Sequence, residues 1–368
     1  MRPILAPALS LLLATQALAE NRSARLVAMM SHLPEAALAG PSAMMPEFYD
    51  FEAAARVALA TAGTAGIEAD AARILGGPFA QAPAGANWTG TVGFGPGDLR
   101  AAAVLRQAPD DRMALLLSPA AIGRVAPALL ANGYATSADR GFAAFWRGRQ
   151  DLAIDLGARN PDDPFAVPLP RSSRIALAGE VLLQAASWPG LESMVGRGAD
   201  SAAMAALAPA LDLPDWGARQ LVQAVLFTDP TLFAPGFVIG DGLTPAPAPP
   251  GAMPWWNAML LADLGDGTGD LTLLVLSFAT QAEAEAAAQA MEAGLGASVL
   301  QGFRGKTLAE AAAPGTARVA GNGPYLAIYA MQTPPEVLSP DLLRNRGFHV
   351  LLTAALSQDM PFLGPARP

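Results

Sequence analysis

The chain has 368 residues, 52% of them hydrophobic and 15% charged, with a formal net charge of −9, no cysteine and two histidines. Such a composition can bury a large core, which excludes a disordered protein, and at roughly 100 to 200 residues per domain the length suggests two domains. The missing cysteines exclude disulfides, thiolate-bound zinc, iron–sulfur clusters and a lipoprotein anchor, and an acidic chain without a basic run lacks the electrostatic footprint of a nucleic-acid binder.

Residues 1–19 have the three parts of an export signal. A positive residue, Arg2, precedes the apolar stretch 4–14, and the small-residue pattern Ala17-Leu18-Ala19 follows. We predict cleavage after Ala19 and a soluble periplasmic or secreted protein. The apolar stretch is too short to cross a bilayer comfortably, and no later segment offers about 20 uninterrupted apolar residues, so no membrane span is predicted.

The first third of the chain mixes helical and strand-like patterns. An alanine-rich helix is predicted over 51–62, where Gly63 ends it. The stretch 89–94 has a strand-like pattern, and Asp98 can cap a helix that runs to about Gln107. The apolar run 112–117 is typical of a buried strand.

A strongly marked helix follows. Ser118-Pro119 supplies a capping side chain and a proline in the first turn, and Asn132-Gly133 is a stop signal. The next two short runs, 134–137 and 142–146, flank a turn and predict a hairpin.

The second half repeats this order after a proline-rich stretch. Apolar strands are predicted at 258–263 and 271–278, a capping box of Thr280 and Glu283 opens a helix, and 316–320 with 325–331 form a hairpin. A terminal helix is predicted over 341–360.

Strand, capped helix and hairpin therefore occur twice, at 112–146 and at 271–331. We predict an α+β fold of two related lobes, each a mainly antiparallel sheet with helices packed on one face, plus an N-terminal helical segment. The proposed organisation is a signal peptide at 1–19, the N-terminal helical segment at 20–86, lobe 1 at 87–240, a proline-rich linker at 241–254, and lobe 2 with its C-terminal helix at 255–368.

Two glycine-containing segments resemble nucleotide-binding loops without meeting their requirements. Gly305-Lys306-Thr307 contains the only lysine, but Leu300 occupies the position at which a phosphate-binding loop needs glycine. In the stretch 93–98, Asp98 replaces the third glycine of a dinucleotide fingerprint. We therefore predict no cofactor.

Metal and nucleophile patterns are also incomplete. Asp263, Asp266 and Asp270 lie on a glycine-rich loop, for which a hairpin turn is the favoured interpretation and a weak calcium site the alternative. His32 and His349 do not form a two-histidine helical spacing, so no metal site and no catalytic residue are assigned. A pair of carboxylates remains open, because any two of the 32 acidic residues can meet in space.

Two conspicuous dipeptides complete the candidates. The neighbouring acids Asp162-Asp163 are flanked by prolines, which is typical of a solvated turn. Trp255 and Trp256 follow the linker directly, and adjacent residues of an extended segment point to opposite sides. One tryptophan can then anchor the core while the other faces a cleft, so this pair is the predicted ligand or partner contact.

Several short motifs together resemble a diffuse set of uncharacterised bacterial exported proteins. The motifs are Leu33-Pro34, Phe48-Tyr49-Asp50-Phe51, Gly133-Tyr134, Ser172-Ser173-Arg174-Ile175, and Asp263 before the second strand–helix unit. The resemblance implies an exported mixed α and β fold of unknown function, and it supplies no catalytic residue.

These observations favour a non-catalytic periplasmic binding or interaction module. Its partner would be an unknown envelope protein or small ligand, with no nucleic acid involved, and the oligomeric state is not indicated. A carboxylate-dependent hydrolase acting on cell-envelope sugar or peptide is the first alternative. A periplasmic folding or assembly factor with an apolar groove is the second.

Overall fold

The structure, a computed structural model, describes residues 22–39, 42, 44–62, 74, 79, 86–156, 160–166, 171–196, 201–233, 253–339 and 342–364. Its main feature is one 12-stranded sheet in which neighbouring strands are antiparallel, accompanied by helices. The predicted α+β class is therefore confirmed. No helix within the described ranges combines the length and the apolar character needed to cross a membrane.

The elements before residue 210 form the first half of this fold. The helices are α1 (Arg22–Met30), α2 (Glu35–Leu38), α3 (Phe51–Ala62), α4 (Trp88–Val92), α5 (Pro119–Ala131), α6 (Trp188–Glu192) and α7 (Ala202–Leu207). The strands are β1 (Pro46–Asp50), β2 (Leu99–Leu105), β3 (Arg112–Leu117), β4 (Ala135–Ser137), β5 (Ala144–Arg147), β6 (Ser173–Ala178) and β7 (Val181–Ala185).

The second half follows the same plan. Its strands are β8 (Gln220–Phe227), β9 (Ala258–Gly265), β10 (Asp270–Phe278), β11 (Val299–Leu300), β12 (Lys306–Thr307), β13 (Gly315–Ala320), β14 (Tyr325–Thr333), β15 (Glu336–Ser339) and β16 (Leu342–Arg344). Its helices are α8 (Gln281–Ala297), α9 (Leu308–Ala311) and α10 (Arg346–Leu356).

The strand order shows how the two halves are joined. It runs β13-β14-β10-β9-β8-β1-β2-β3-β7-β6-β5-β4, and the junction is the antiparallel pair of β1 and β8, with Phe48 opposite Ala224. From this junction the first half leads outward through β1, β2 and β3, which α5 follows in the chain. The second half leads outward through β8, β9 and β10, which α8 follows. The predicted repeat is visible in this order, with the hairpin of β6 and β7 inserted in the first half. Both repeats share one sheet, because each supplies the strand that covers the other's edge.

Alternate side chains of the central strands enter two helical layers. In β10, Leu273 and Val275 face the layer that contains α1, α2, α6 and α7, whereas Leu274 and Leu276 face the layer with α8, α9 and α10. We call the first side face A and the second face B. Helices α4 and α5 cover face B in the first half. Burial on both faces explains why β9 and β10 are almost continuously apolar.

Two local predictions were wrong in the first half, and one strand was missed. The predicted strand at 89–94 is occupied mainly by α4, and the predicted helix at 98–107 is β2. Ala101, Ala102 and Ala103 are fully buried between β1 and β3, so packing on two faces overrides their helical preference. Strand β1, which lies at the centre of the sheet, was not predicted.

Other boundaries agree with their capping signals. The Ser118 side chain accepts a hydrogen bond from Ala121 N at the start of α5, and Gly133 follows its end with φ +83°. Thr280 and Glu283 form the predicted capping box of α8. The predicted terminal helix begins later than expected, at Arg346, because residues 342–344 form β16.

The proline-rich linker predicted at 241–254 lies outside the described residues except for Met253 and Pro254, as does the signal peptide predicted at 1–19. The proposed domain boundaries stay predictions.

A buried polar network connects α10 to face B. Asp263 on β9 is fully buried and accepts hydrogen bonds from the side-chain amides of Gln223 (2.9 Å) and Asn345 (2.8 Å). Asn345 Oδ1 in turn accepts from Thr272 Oγ1 (3.0 Å) and from Phe348 N (3.2 Å), which caps the helix. The Asn345 side chain therefore joins β9 and β10 directly, and β8 through Asp263, to the first turn of α10.

We expect Asn345→Ala to lower the free energy of unfolding by about 3 kcal/mol, because it removes a helix cap and leaves buried polar groups unpaired. Ser118→Ala, which removes a half-buried cap on α5, is the matched control and costs about 1 kcal/mol. Urea unfolding followed by circular dichroism measures both. Equal losses for the two variants would show that the Asp263 network adds nothing to the cap.

Candidate functional site

The two predicted contact residues lie on opposite sides of the segment that enters β9. Trp256 is fully buried, donates its indole N–H to Leu363 O at 2.9 Å, and packs against Phe233 with 6.0 Å between ring centres. Trp255 is 42% exposed. Trp256 thus anchors the second-half core to the C-terminal turn 361–363, and Trp255 is the member of the pair that a ligand or partner can reach.

The other motifs have structural explanations in the described residues. Lys306 lies in the two-stranded sheet of β11 and β12, and Thr307 caps the four-residue helix α9. Asp266 accepts hydrogen bonds from Thr268 N and Gly269 N inside the β9–β10 turn. Asp263 instead faces the buried network on face B, so the structure does not gather the acids of this loop around a cation.

Within the described ranges, no group of three or more His, Asp or Glu side chains could hold a metal ion. His32 and His349 are partly buried, and burial lowers the pKa of both imidazoles. The His349 ring meets Phe303 edge-on, with 6.2 Å between centres.

Asp163 contradicts the expected solvated turn. Its carboxylate is fully buried, forms an ion pair with Arg147 (2.6 Å) and accepts a hydrogen bond from Tyr134 Oη (3.1 Å). Its neighbour Asp162 is half-buried and accepts a hydrogen bond from Asn87 N. Proline-flanked acids are usually solvated, but here Asp163 is buried and binds Arg147, the last residue of β5.

A pair of carboxylates does meet at the end of β1. Arg25 on α1 donates to both oxygens of Asp50 (2.9 and 2.8 Å) and forms an ion pair with Glu52 (2.8 Å). Arg100 on β2 pairs with the other oxygen of Glu52 at 2.7 Å. Asp50 also accepts from Ala53 N, so it caps the first turn of α3.

The environment displaces the pKa values of these two acids in opposite directions. Burial raises the pKa of Asp50, and the charge of Arg25 only partly offsets this. Burial also acts to raise the pKa of Glu52, but the hydrogen bond from Arg100 and the charge of Arg25 outweigh it, so the net shift is downward. Two neighbouring carboxyl groups whose pKa values differ are typical of catalytic acid–base pairs. Here, however, the Arg25 guanidinium bridges the two carboxylates, so we assign them the structural role of holding α1 on the sheet.

An arginine–tryptophan stack lies near the β4 end of the sheet on face A. The Arg140 guanidinium lies 4.1 Å from the Trp188 ring centre, and Arg174 lies 5.2 Å from the same ring and 5.9 Å from Trp146. Arg174 is almost fully buried, and burial lowers its pKa. It donates to Arg147 O and Gly148 O and pairs with Asp151 at 2.9 Å.

Next to this stack runs a row of exposed aliphatic side chains, Leu152, Ile154 and Leu156, which we call the apolar row. The exposed fraction rises along it from 37% to 51% and 71%. Its backbone is held by hydrogen bonds from Leu152 N to Ala186 O (3.2 Å) and from Ser172 N to Ala153 O (3.0 Å). Water therefore reaches three large apolar side chains, and the backbone at 152–154 is held next to β6 and β7.

The backbone at the start of the row is unusual. Leu152 has φ +61°, a left-handed conformation that costs a bulky residue about 1–3 kcal/mol and that often accompanies function. Asp151, the preceding residue, accepts from Trp188 N and pairs with Arg174, so the stack holds this turn. Sequence reasoning missed the row, because aliphatic residues spaced by two, as at 152, 154 and 156, are typical of a half-buried strand.

The comparisons with known proteins add little. No family model matches the chain, and no curated protein matches it. Crystal form I of a protein called TP0453 aligns with 86% of this chain and 96% of its own, at 11% identity and a TM-score of 0.34. Crystal form III aligns with 87% and 98%, at the same identity and TM-score. Similarity this distant transfers no function.

Asp50→Asn and Glu52→Gln should change the pH dependence of stability with opposite signs. A carboxyl whose pKa rises on folding binds its proton more tightly in the folded state, so the wild type loses stability relative to Asp50→Asn as the pH rises above about 4. Glu52 has a lowered pKa, so the wild type gains stability relative to Glu52→Gln as the pH rises through the acidic range towards about 4.3, the pKa of a glutamate in the unfolded chain.

Urea unfolding of the three proteins between about pH 2.5 and 7 measures the two differences, that of Glu52 below about pH 4.3 and that of Asp50 above about pH 4. Slopes of the same sign would contradict the assignment of the two carboxyl environments.

Proposed function

We propose that the protein is an exported, non-catalytic binding or interaction module whose contact surface is the apolar row. The observation that carries this proposal is the exposure of Leu152, Ile154 and Leu156 in a segment whose backbone is held at 152–154. Exposed apolar side chains cost solvation free energy unless something covers them, and clusters of them are typical of interaction sites.

The surroundings of the row support a preformed contact surface. The stack of Arg140, Trp188 and Arg174 fixes the neighbouring turn through Asp151. A partner that covers the row would then meet a backbone that is already ordered, which reduces the entropy lost on binding. The export signal predicted at 1–19 and the resemblance to exported proteins favour a partner in the cell envelope.

The bonding of the described acids supports a non-catalytic role. Arginine side chains, backbone N–H groups or amides hold four carboxylates, those of Asp50, Glu52, Asp163 and Asp263. A glycoside hydrolase needs two carboxyl groups that face each other across the scissile bond. The bridged pair of Asp50 and Glu52 places a guanidinium where that bond would lie, so the hydrolase is the weaker proposal. A folding or assembly factor would use the same apolar row.

Affinity capture from an envelope extract of the native host tests the proposal. The triple variant Leu152→Asn, Ile154→Thr and Leu156→Gln makes the row polar, and asparagine tolerates the left-handed backbone at position 152. Leu59→Gln with Leu130→Gln is the matched control, because the exposure of these leucines lies within the range of the row but they lie on α3 and α5.

We expect the wild type and the control to retain one protein partner in stoichiometric amount and the triple variant to bind it at least about ten-fold more weakly. Equal capture by the triple variant would exclude the row as the contact surface. Hydrolysis of envelope sugar or peptide by the purified wild type would instead support the first alternative. Trp255→Ala in the same assay tests the contact predicted from the sequence.

A further inference from the structure

The chain contains two Asn-Gly pairs, Asn132-Gly133 after α5 and Asn322-Gly323 in the turn between β13 and β14. All four residues are exposed. An asparagine that precedes glycine is prone to spontaneous deamidation, because glycine has no side chain to hinder the attack of its backbone nitrogen on the asparagine side chain. Sequence and exposure are alike at the two pairs, so any difference in their reactivity comes from the local structure.

Hydrogen bonds hold both reacting groups of the first pair. Asn132 follows the last turn of α5, and its side-chain amide donates to Ala128 O at 2.9 Å and to Gly90 O at 3.0 Å. The N–H of Gly133, whose nitrogen would be the attacking atom, donates to Leu130 O at 3.3 Å. These bonds have to break before the nitrogen can reach the side-chain carbon.

The second pair has no such restraint. Within the part of the chain that the structure describes, neither the Asn322 side chain nor the Gly323 N–H has a hydrogen-bond partner. The ladder of β13 and β14 ends with Ala320 opposite Leu326, so the turn lies outside it. Gly321 and Gly323 have φ of +90° and +110°, and without a Cβ they allow the backbone on both sides of Asn322 to rotate at little steric cost.

We propose that Asn322 is a self-modification site, which converts to aspartate and isoaspartate in the folded protein while Asn132 is protected. The Gly323 nitrogen loses its proton to solvent and bonds to Cγ of Asn322, which closes a succinimide ring. The bond from Cγ to the side-chain nitrogen breaks, and that nitrogen takes up a proton and leaves as ammonia. Water then opens the ring at either carbonyl, so asparagine and water give a carboxylic acid and ammonia. Both reacting groups belong to one chain, so the step needs no second protein, and the proposal is independent of the apolar row.

The modification changes the charge and the backbone of the turn that joins β13 and β14. Each event replaces a neutral amide with a carboxylate and so adds one negative charge to a chain whose formal net charge is −9. In isoaspartate the former side-chain methylene becomes part of the backbone, which lengthens the turn. Because Asn322 lies beyond the last ladder pair, of Ala320 and Leu326, we expect β13 and β14 to stay paired in both products.

Peptide mass spectrometry of the purified full chain, incubated in neutral buffer, tests the proposal. Trypsin places the two sites in separate peptides, 319–344 for Asn322 and 125–140 for Asn132. We expect Asn322 to deamidate at least about ten-fold faster than Asn132, because the hydrogen bonds of Asn132 and Gly133 add to the barrier. The peptide 319–344 should contain both aspartate and isoaspartate. A sample digested without incubation corrects for deamidation during the digest.

Incubation in urea removes the fold, and we expect the two asparagines then to react at similar rates. On native isoelectric focusing, the wild type should gain an acidic band that migrates with Asn322→Asp. The matched variant Asn322→Gln should gain no such band, because a glutamine side chain would have to close a larger ring. Equal rates in the folded protein, no reaction at Asn322, aspartate without isoaspartate, or a ten-fold difference that persists in urea would each overturn the proposal. Thermal melts followed by circular dichroism confirm that both variants are folded.

Discussion

Burial of the sheet on both faces is the constraint on which the rest of the structure depends. Helices cover face A and face B, so a polar side chain buried beneath them has no access to water and needs a partner within the protein. Asp263 meets two amides, Asp163 meets an arginine and a tyrosine, and Arg174 meets backbone carbonyls and Asp151. These networks connect elements that are distant in the chain, and they hold α10, the end of β5 and the turn before the apolar row in place.

The same constraint explains which elements could be predicted from the sequence. Capped helices such as α5 and α8 carry local signals, and the strands β9 and β10 have long apolar runs, so their positions followed from pattern alone. The position of β2 did not follow from pattern, because three consecutive alanines favour a helix. The strand forms because two helical layers and the neighbouring strands β1 and β3 enclose these alanines. Strand β1 is short, and its central place depends on pairing with β8, which lies some 170 residues further along the chain.

The candidate site was only partly accessible to sequence reasoning. Successive side chains of an extended segment point to opposite sides, which predicts that Trp255 and Trp256 have different environments. The structure shows one exposed and one buried ring. The apolar row was hidden because three aliphatic residues at period two usually belong to a half-buried strand. Their exposure depends on the turn at Leu152 and on the arginine–tryptophan stack, whose members come from β5, β6, α6 and the β4–β5 turn. No local pattern contains that information.

The junction of β1 and β8 has a consequence for how the chain acquires its structure. A polypeptide emerges from the ribosome N-terminus first, and β1 can pair with β2 as soon as residue 105 is available. Its other edge stays open until β8 has been made, and loop closure over such a distance is slow. During that interval the nascent first half exposes an apolar strand edge at what becomes the centre of the sheet. This open edge of β1 makes the chain prone to misassembly until its second half has been synthesised. A chain that stays unfolded until synthesis is complete would not pass through that stage.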